Sequence, residues 1–229
     1  MTEPASAFAL AVHLLFSGDP GLWQIIGVSL FVAFAALLAA APPALAAAYF
    51  LANRAFFGRR VVLAVLQSLL SFPTVAIGLI LYLLLSRRGI LGAFDLLFTP
   101  AAMAIGQALI VFPVLTVFAL AALQKNDNRI GETAQTLGAS KLRAALTEMA
   151  EARFGIIAAL LTGFGRAISE VGCALMVGGN IAHYTRNITT AIALETGAGK
   201  FAEGIALGMV LVFLALAASA LLSWVQGNR

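Results

Sequence analysis

The sequence predicts an all-α, polytopic transmembrane bundle of about five spans, and three observations predict it. Of the 229 residues, 62% are hydrophobic and only 10% are charged, against about a quarter charged in an ordinary soluble domain. The apolar residues gather into runs of about 20, the length that crosses a hydrocarbon core roughly 30 Å thick as a helix. The segments between the runs are short, about 10 to 30 residues, so the chain reads as one membrane domain, 1–229, without a soluble domain, a low-complexity linker or a catalytic insertion.

Taken in order, residues 5–16 are apolar but short, have no basic region before them, and stop at the turn signal Ser17-Gly18-Asp19-Pro20. The segment 1–20 is therefore expected to hold an interfacial helix at the outer face, with an uncleaved signal-like role as the alternative. Residues 25–49, 61–85 and 100–123 each read as a span. Two further runs, 154–177 and 204–224, have similar length but more glycine, and the first carries charge. Pro73 and Pro113 fall inside the second and third spans, where a missing amide donor kinks a helix. Such a kink serves either packing shape or a hinge. The stretch 178–202 holds Asn180, His183, Thr185, Arg186, Asn187, Thr189, Thr190 and Glu195 and is too polar to span. It is expected at the outer face, with residues 191–194 in a small re-entrant or interfacial helix.

The net charge of +4 fits anionic lipid or nucleic acid, but basic residues in a membrane chain chiefly report which loops stay inside. Arg54, Arg59, Arg60, Lys125, Arg129, Lys141, Arg143, Arg153 and Arg229 make nine on one side, against Arg87, Arg88, Arg186 and Lys200 on the other. The N-terminus is thus expected outside and the C-terminus inside, with no nucleic-acid partner.

The loop at 131–151 is the most distinctive segment. Leu142, Ala145, Leu146 and Met149 recur at i, i+3, i+4 and i+7 and line one face of a helix. Ser140 is a plausible N-cap, residues 132–137 form a preceding helical turn, and Gly138 supplies the bend between them. A helical hairpin with one apolar face suits either a groove on a soluble partner or the surface of the inner leaflet.

Glu132-Thr133-Ala134, three residues, then Gly138-Ala139-Ser140 resembles the loop of binding-protein-dependent ATP-binding-cassette (ABC) importer permeases, usually Glu-Ala-Ala, three residues, then Gly. Its place before the penultimate span is also as in that family, although the Leu-Pro pair that usually follows is replaced by Met149-Ala150-Glu151-Ala152-Arg153. That replacement resembles the tungstate-type permeases, relatives of the molybdate and sulfate branch. So do Ile168-Ser169-Glu170-Val171-Gly172, Val177-Gly178-Gly179-Asn180-Ile181 and residues 189–196. The resemblance covers roughly residues 61–229. It implies a type I ABC importer permease fold in a bacterial or archaeal cytoplasmic (inner) membrane, working as a homodimer with two ATPase subunits inside and an oxyanion-binding protein outside. By the same resemblance Glu132, Ala134, Gly138, Ala139 and Leu142 are the positions that couple to the ATPase. Tungstate is the implied substrate, with molybdate or sulfate as the alternatives.

Within the fourth run, Arg166 and Glu170 stand i, i+4 in membrane surroundings, where an unpaired charge costs at least about 2.5 to 3.5 kcal/mol. They are expected to pair, either as an internal tie that orders the bundle or as part of a translocation path with Ser169 and Asn180. The glycines around them, Gly163, Gly165 and Gly172 among others, allow close helix crossing and fit a dimer axis. Cys173 is the sole cysteine, so no intramolecular disulfide forms, and it reads as packing. His13 and His183 are isolated, and no metal site is expected. A phosphate-cradling glycine loop with its lysine is absent, so this chain is expected to hold no cofactor and to be no enzyme, ATP and Mg belonging to the partner ATPase. An ion-gradient transporter and a non-transporting scaffold are the rival classes, and both leave the 131–151 loop unexplained. The lack of an evident internal repeat argues against the first.

Overall fold

The structure, a computed structural model, describes residues 9, 12, 13, 16–125 and 129–227. The N-terminal segment 5–16 lies largely outside the described residues, as do Asn126, Asp127, Asn128 and the terminal Arg229.

The first helix, α1 (Pro20–Asn53), opens with Asp19, whose carboxylate accepts the Leu22 amide at 3.0 Å, and with proline at its first position. At a rise of 1.5 Å per residue its 34 residues span about 51 Å, well beyond a hydrocarbon core. The helix passes through Pro42 and Pro43 without ending. Its buried stripe is built of small side chains, Ser29, Ala33, Ala36, Ala40, Ala44 and Ala48, which let it lie closely against α4 (Pro100–Leu123). Thr99 caps α4, accepting the Ala102 amide at 3.2 Å. Also packed on α4 are α2 (Arg59–Leu70), α3 (Thr74–Leu85), α7 (Arg153–Ile168) and α8 (Gly172–Gly178). Hence α4 is the central post of the bundle, with Met103, Val111, Leu115 and Ala119 fully enclosed.

The second run is not one kinked span, as the sequence suggests, but two helices, α2 and α3, set 98° apart. Proline at position 73 cannot donate an amide and forces the residue before it away from helical geometry. The last turn of α2 closes with three-residue bonds from the Ser71 amide to the Ser68 carbonyl at 3.2 Å and from the Phe72 amide to the Leu69 carbonyl at 3.3 Å, and Pro73 restarts the chain in extended geometry. Pro113, by contrast, sits buried within an unbroken α4, whose neighbours on several sides hold it in place. Arg59 joins α2 to α1, its Nε donating to the Leu51 carbonyl at 2.9 Å.

The fourth run is also divided. Helices α7 and α8 meet at 59° across Ser169–Val171, so Arg166 and Glu170 do not share one helix: Arg166 is in the last turn of α7 and Glu170 lies in the break. Between α4 and α7, the hairpin is α5 (Arg129–Thr136) and α6 (Lys141–Glu151). The polar stretch after α8 folds into α9 (Ile188–Gly197), longer than the four residues expected, and α10 (Phe201–Gly227) closes the chain, packing on α9 and α7. Among the described residues there is no strand. Among those residues three helices, α1, α4 and α10, are long and apolar enough to cross a membrane, and up to five spans result when each bent pair counts as one.

Candidate functional site

Two places carry the sequence-predicted residues, and they are built in opposite ways. In the hairpin, α5 ends as a helix ends on glycine: Gly138 takes φ +91°, its amide bonds Gln135, and the Ala139 amide reaches back to the Ala134 carbonyl at 2.9 Å. Ser140 then caps α6, its hydroxyl accepting the Arg143 amide at 3.4 Å. Glu132, Ala134, Gly138, Ala139 and Leu142 thus lie on one compact turn-linked pair.

Leu137, Leu142 and Leu146 are 83%, 71% and 57% exposed, so the pair presents leucines outward. The apolar face expected on α6 is divided. Leu142 and Leu146 point away from the bundle, whereas Met149 turns inward and packs beside Ala48, Leu51 and Ala152. Glu148 fastens this inner side, accepting Nδ2 of Asn53 at 2.9 Å from the end of α1. A Cβ at Gly131 would run into the Glu148 carboxylate, which makes glycine the only residue that fits there without a shift. Between hairpin and α1 lies a cleft of about 560 Å³, lined by Tyr49, Asn53, Arg54, Glu132, Gln135, Lys141 and Glu148.

At the break in the fourth run, Arg166 Nη1 donates to Glu170 Oε2 at 2.7 Å. Glu170 is 2% exposed while the Arg166 side chain is 32% exposed, so one partner is enclosed and the other faces out. The other carboxylate oxygen, Oε1, accepts the Cys173 amide at 3.0 Å and so caps the start of α8. Ser169 is exposed, its hydroxyl donating back to the Gly165 carbonyl at 2.8 Å. Asn180 is not part of this group. It sits beyond the far end of α8, about 10 Å of helix away, at φ +50°, with Nδ2 3.5 Å from the Thr190 carbonyl and Oδ1 buried without a partner.

The sequence reading missed the partners supplied by α9. Thr189 and Thr190, which the polar stretch 178–202 suggests lie at the outer face, are buried, and the Thr189 hydroxyl lies 2.7 Å from the Glu170 carbonyl. Asn187 and Thr190 form a reciprocal capping box at the start of α9, and Ser29 of α1 accepts the Ile188 amide at 2.7 Å. The Asn-x-x-Thr spacing was the available signal for that cap. Gln107 is a further buried polar residue, on α4.

In the last turn of α9, Glu195 lies 3.8 Å from Arg186 and 3.5 Å from Lys200, which also approaches Glu203 at 3.5 Å. The carboxylates of Glu203 and Glu195 raise the Lys200 pKa. His183 is held to α1, its Nδ1 2.8 Å from Gln24 Oε1 and its carbonyl accepting Gln24 Nε2. Cys173 is buried against Gly106 and Gly78, in agreement with a packing role.

Known proteins match this arrangement over most of its length. Residues 44–228 match the family described as binding-protein-dependent transport system inner membrane component. A probable anion ABC transporter permease protein of Haloferax volcanii is 42% identical over 87% of this chain and 88% of its own. Tungstate uptake system permease proteins are 39% identical in Peptoclostridium acidaminophilum, over 97% of both chains, and 38% identical in Campylobacter jejuni, over 91% of this chain and 87% of the other. With a helical bundle, an outward-facing leucine hairpin and this breadth of similarity, the chain belongs to the family of binding-protein-dependent transport system inner membrane components, the permease subunits of ABC importers.

Proposed function

We propose that the chain is the transmembrane permease subunit of an ATP-driven oxyanion importer whose substrate is tungstate. The observation that carries the reading is the α5–α6 hairpin, which holds Leu137, Leu142 and Leu146 out from a membrane bundle, in a chain that aligns over 97% of its length with a tungstate uptake permease. Molybdate is the second reading, since the sequence resembles that branch as well.

In this reading the chain is a single permease domain of a bacterial or archaeal cytoplasmic membrane, with its N-terminus outside and the hairpin and C-terminus inside. Leu142, with Leu137 and Leu146, seats in a groove of an ATPase subunit. Glu132, Ala134, Gly138 and Ala139 set the shape of the turn that enters the groove. ATP and Mg are bound and used in that separate subunit. The ATPase has to grip the hairpin differently in its open and closed states, because only a difference in binding between two states moves an equilibrium. The tie between Glu148 and Asn53 passes that movement to the end of α1.

Two copies of the chain complete the path. Arg166 is one-third exposed and Ser169 is exposed at a break within a span, where a charge facing lipid costs at least about 2.5 to 3.5 kcal/mol. A second copy enclosing a water-filled path between the two removes that cost and sets a pair of arginines beside the anion, each partly neutralised by Glu170. Asn180, with its unpartnered Oδ1, lies nearer the outer mouth, where a binding protein delivers the substrate.

Tungstate-stimulated ATP hydrolysis by the permease, reconstituted with its ATPase and its binding protein, tests this. Stimulation by tungstate at lower concentration than by molybdate or sulfate, lost in Glu132→Ala, is the expected outcome. A fully assembled complex indifferent to all three anions refutes the oxyanion assignment.

A further inference from the structure

We propose that Glu170 is a positioning residue for transport: its carboxylate fixes Arg166 while its backbone carbonyl fastens the break in the fourth span to α9, so that displacement of α9 is delivered to Arg166. This rests on the reading of Arg166 as the charge that faces the anion.

Glu170 is bonded in three directions to three helices. Oε2 holds Arg166 at the end of α7, Oε1 holds the Cys173 amide at the start of α8, and the carbonyl holds the Thr189 hydroxyl at the start of α9. With 2% exposure, water does not replace any of these bonds at little cost. Among the described ion pairs Glu170 is the partner of Arg166, so the arginine's place follows that of the carboxylate.

The surroundings leave the break little freedom of its own. A Cβ on Gly172 would stand 2.6 Å from Val75 Cγ2 and 3.2 Å from the Val75 amide nitrogen, so the start of α8 is pressed against the start of α3, just past the other break. Helix α9 is in turn joined to α1 through Ile188 and Ser29. Movement of α9 therefore reaches the break through Thr189 and Glu170, and reaches Arg166 through the ion pair. Glutamine at position 170 keeps the volume but offers one acceptor oxygen in place of two, and its amide hydrogens meet the donors of Arg166 or Cys173. Valine at 189 removes the hydroxyl that faces both the Glu170 carbonyl and Asn187 Oδ1, and leaves the ion pair whole.

The test uses the permease assembled with its ATPase and binding protein in lipid vesicles, carrying Thr189→Val, Glu170→Gln or Glu170→Asp. Two readouts are taken: tungstate uptake resolved into KM and maximal rate, and maleimide labelling of a Ser169→Cys reporter with and without ATP. Native Cys173 is buried and leaves the labelling background low. Glu170→Gln is expected to raise KM about tenfold, within the usual span of coupling between sites, and Glu170→Asp to recover part of that loss. Thr189→Val is expected to lower the maximal rate with little change in KM and to abolish the ATP dependence of reporter labelling. Wild-type KM and maximal rate in both Thr189→Val and Glu170→Gln overturn the proposal. So does labelling that ignores ATP when the reporter is the sole change. Failure of the reporter-free complex to take up any oxyanion refutes the substrate reading instead, and the labelling result, which needs no anion, still decides the role of Glu170.

Discussion

The hairpin and the break in the fourth span both hold charged and polar residues at helix ends, yet they stand in opposite relations to the rest of the chain. The hairpin turns Leu137, Leu142 and Leu146 to the outside and is tied back through Glu148, Gly131 and Met149. The break turns its carboxylate inward and is bonded to three helices at once. One is shaped to be gripped by something else, and the other to hold its own bundle together. The same kind of substitution should therefore weaken association at the first place and stability at the second.

The largest effect belongs to Glu170→Ala. It leaves Arg166, itself one-third exposed, without its partner and frees the Cys173 amide at the start of α8, and hydrogen bonds to a charged group contribute about 1.5 to 3 kcal/mol each. Thermal unfolding of the purified permease in detergent should shift down accordingly, and an unchanged Tm would mean that the pair adds nothing to the fold. Gly131→Val comes next. Its side chain collides with the Glu148 carboxylate, the end of a flexible side chain that can swing aside, so the stability cost should be about 1 kcal/mol while the carboxylate is displaced from Asn53. Because the strain falls on the Glu148–Asn53 tie between hairpin and α1, ATPase activity should become less responsive to substrate while assembly survives.

How far these two places could be read from the sequence follows from how local their interactions are. The hairpin was legible almost whole, because its cap at Ser140, its bend at Gly138 and its apolar repeat all lie within about twenty residues. What escaped was the division of the repeat, since the half-buried Met149 packs against a cluster that includes Ala48 and Leu51, about a hundred residues earlier in the chain. The pairing of Arg166 with Glu170 was legible from spacing, but the break between them was not. Nothing local to positions 166–172 forbids a continuous helix as proline does at 73. The break depends on a carboxylate capping Cys173 and on a glycine fitted against Val75. Burial of Thr189 and Thr190 was hidden for the same reason: a polar stretch reads as surface until α1 and Glu170 are placed around it.

Leu142→Ser separates the two places more finely. The side chain is 71% exposed, so the stability of the isolated permease should stay within about 0.5 kcal/mol of the parent. Loss of a leucine anchor from a helix seated in a groove costs about 1 to 2 kcal/mol of association, a roughly tenfold weaker grip on the ATPase. Co-purification or a titration of permease against ATPase measures that directly, and equal binding by both forms would show that the exposed leucines lie on lipid rather than on protein.

Ser140→Ala is the smallest of these changes and tests the internal logic of the hairpin. The hydroxyl accepts the Arg143 amide at 3.4 Å, a long bond, so the loss should fall at the lower end of the usual cap contribution, about 0.5 to 1 kcal/mol. Since α6 is held to the bundle at its far end by Glu148, Met149 and Ala152, the weakened first turn should fray locally while the whole permease unfolds at nearly its original temperature. Amide exchange at residues 141–144 is the measurement. Faster exchange there, with unchanged rates in α7, places the flexibility in the knob itself; faster exchange spreading into α7 would show that hairpin and break, for all their contrast, open as one unit.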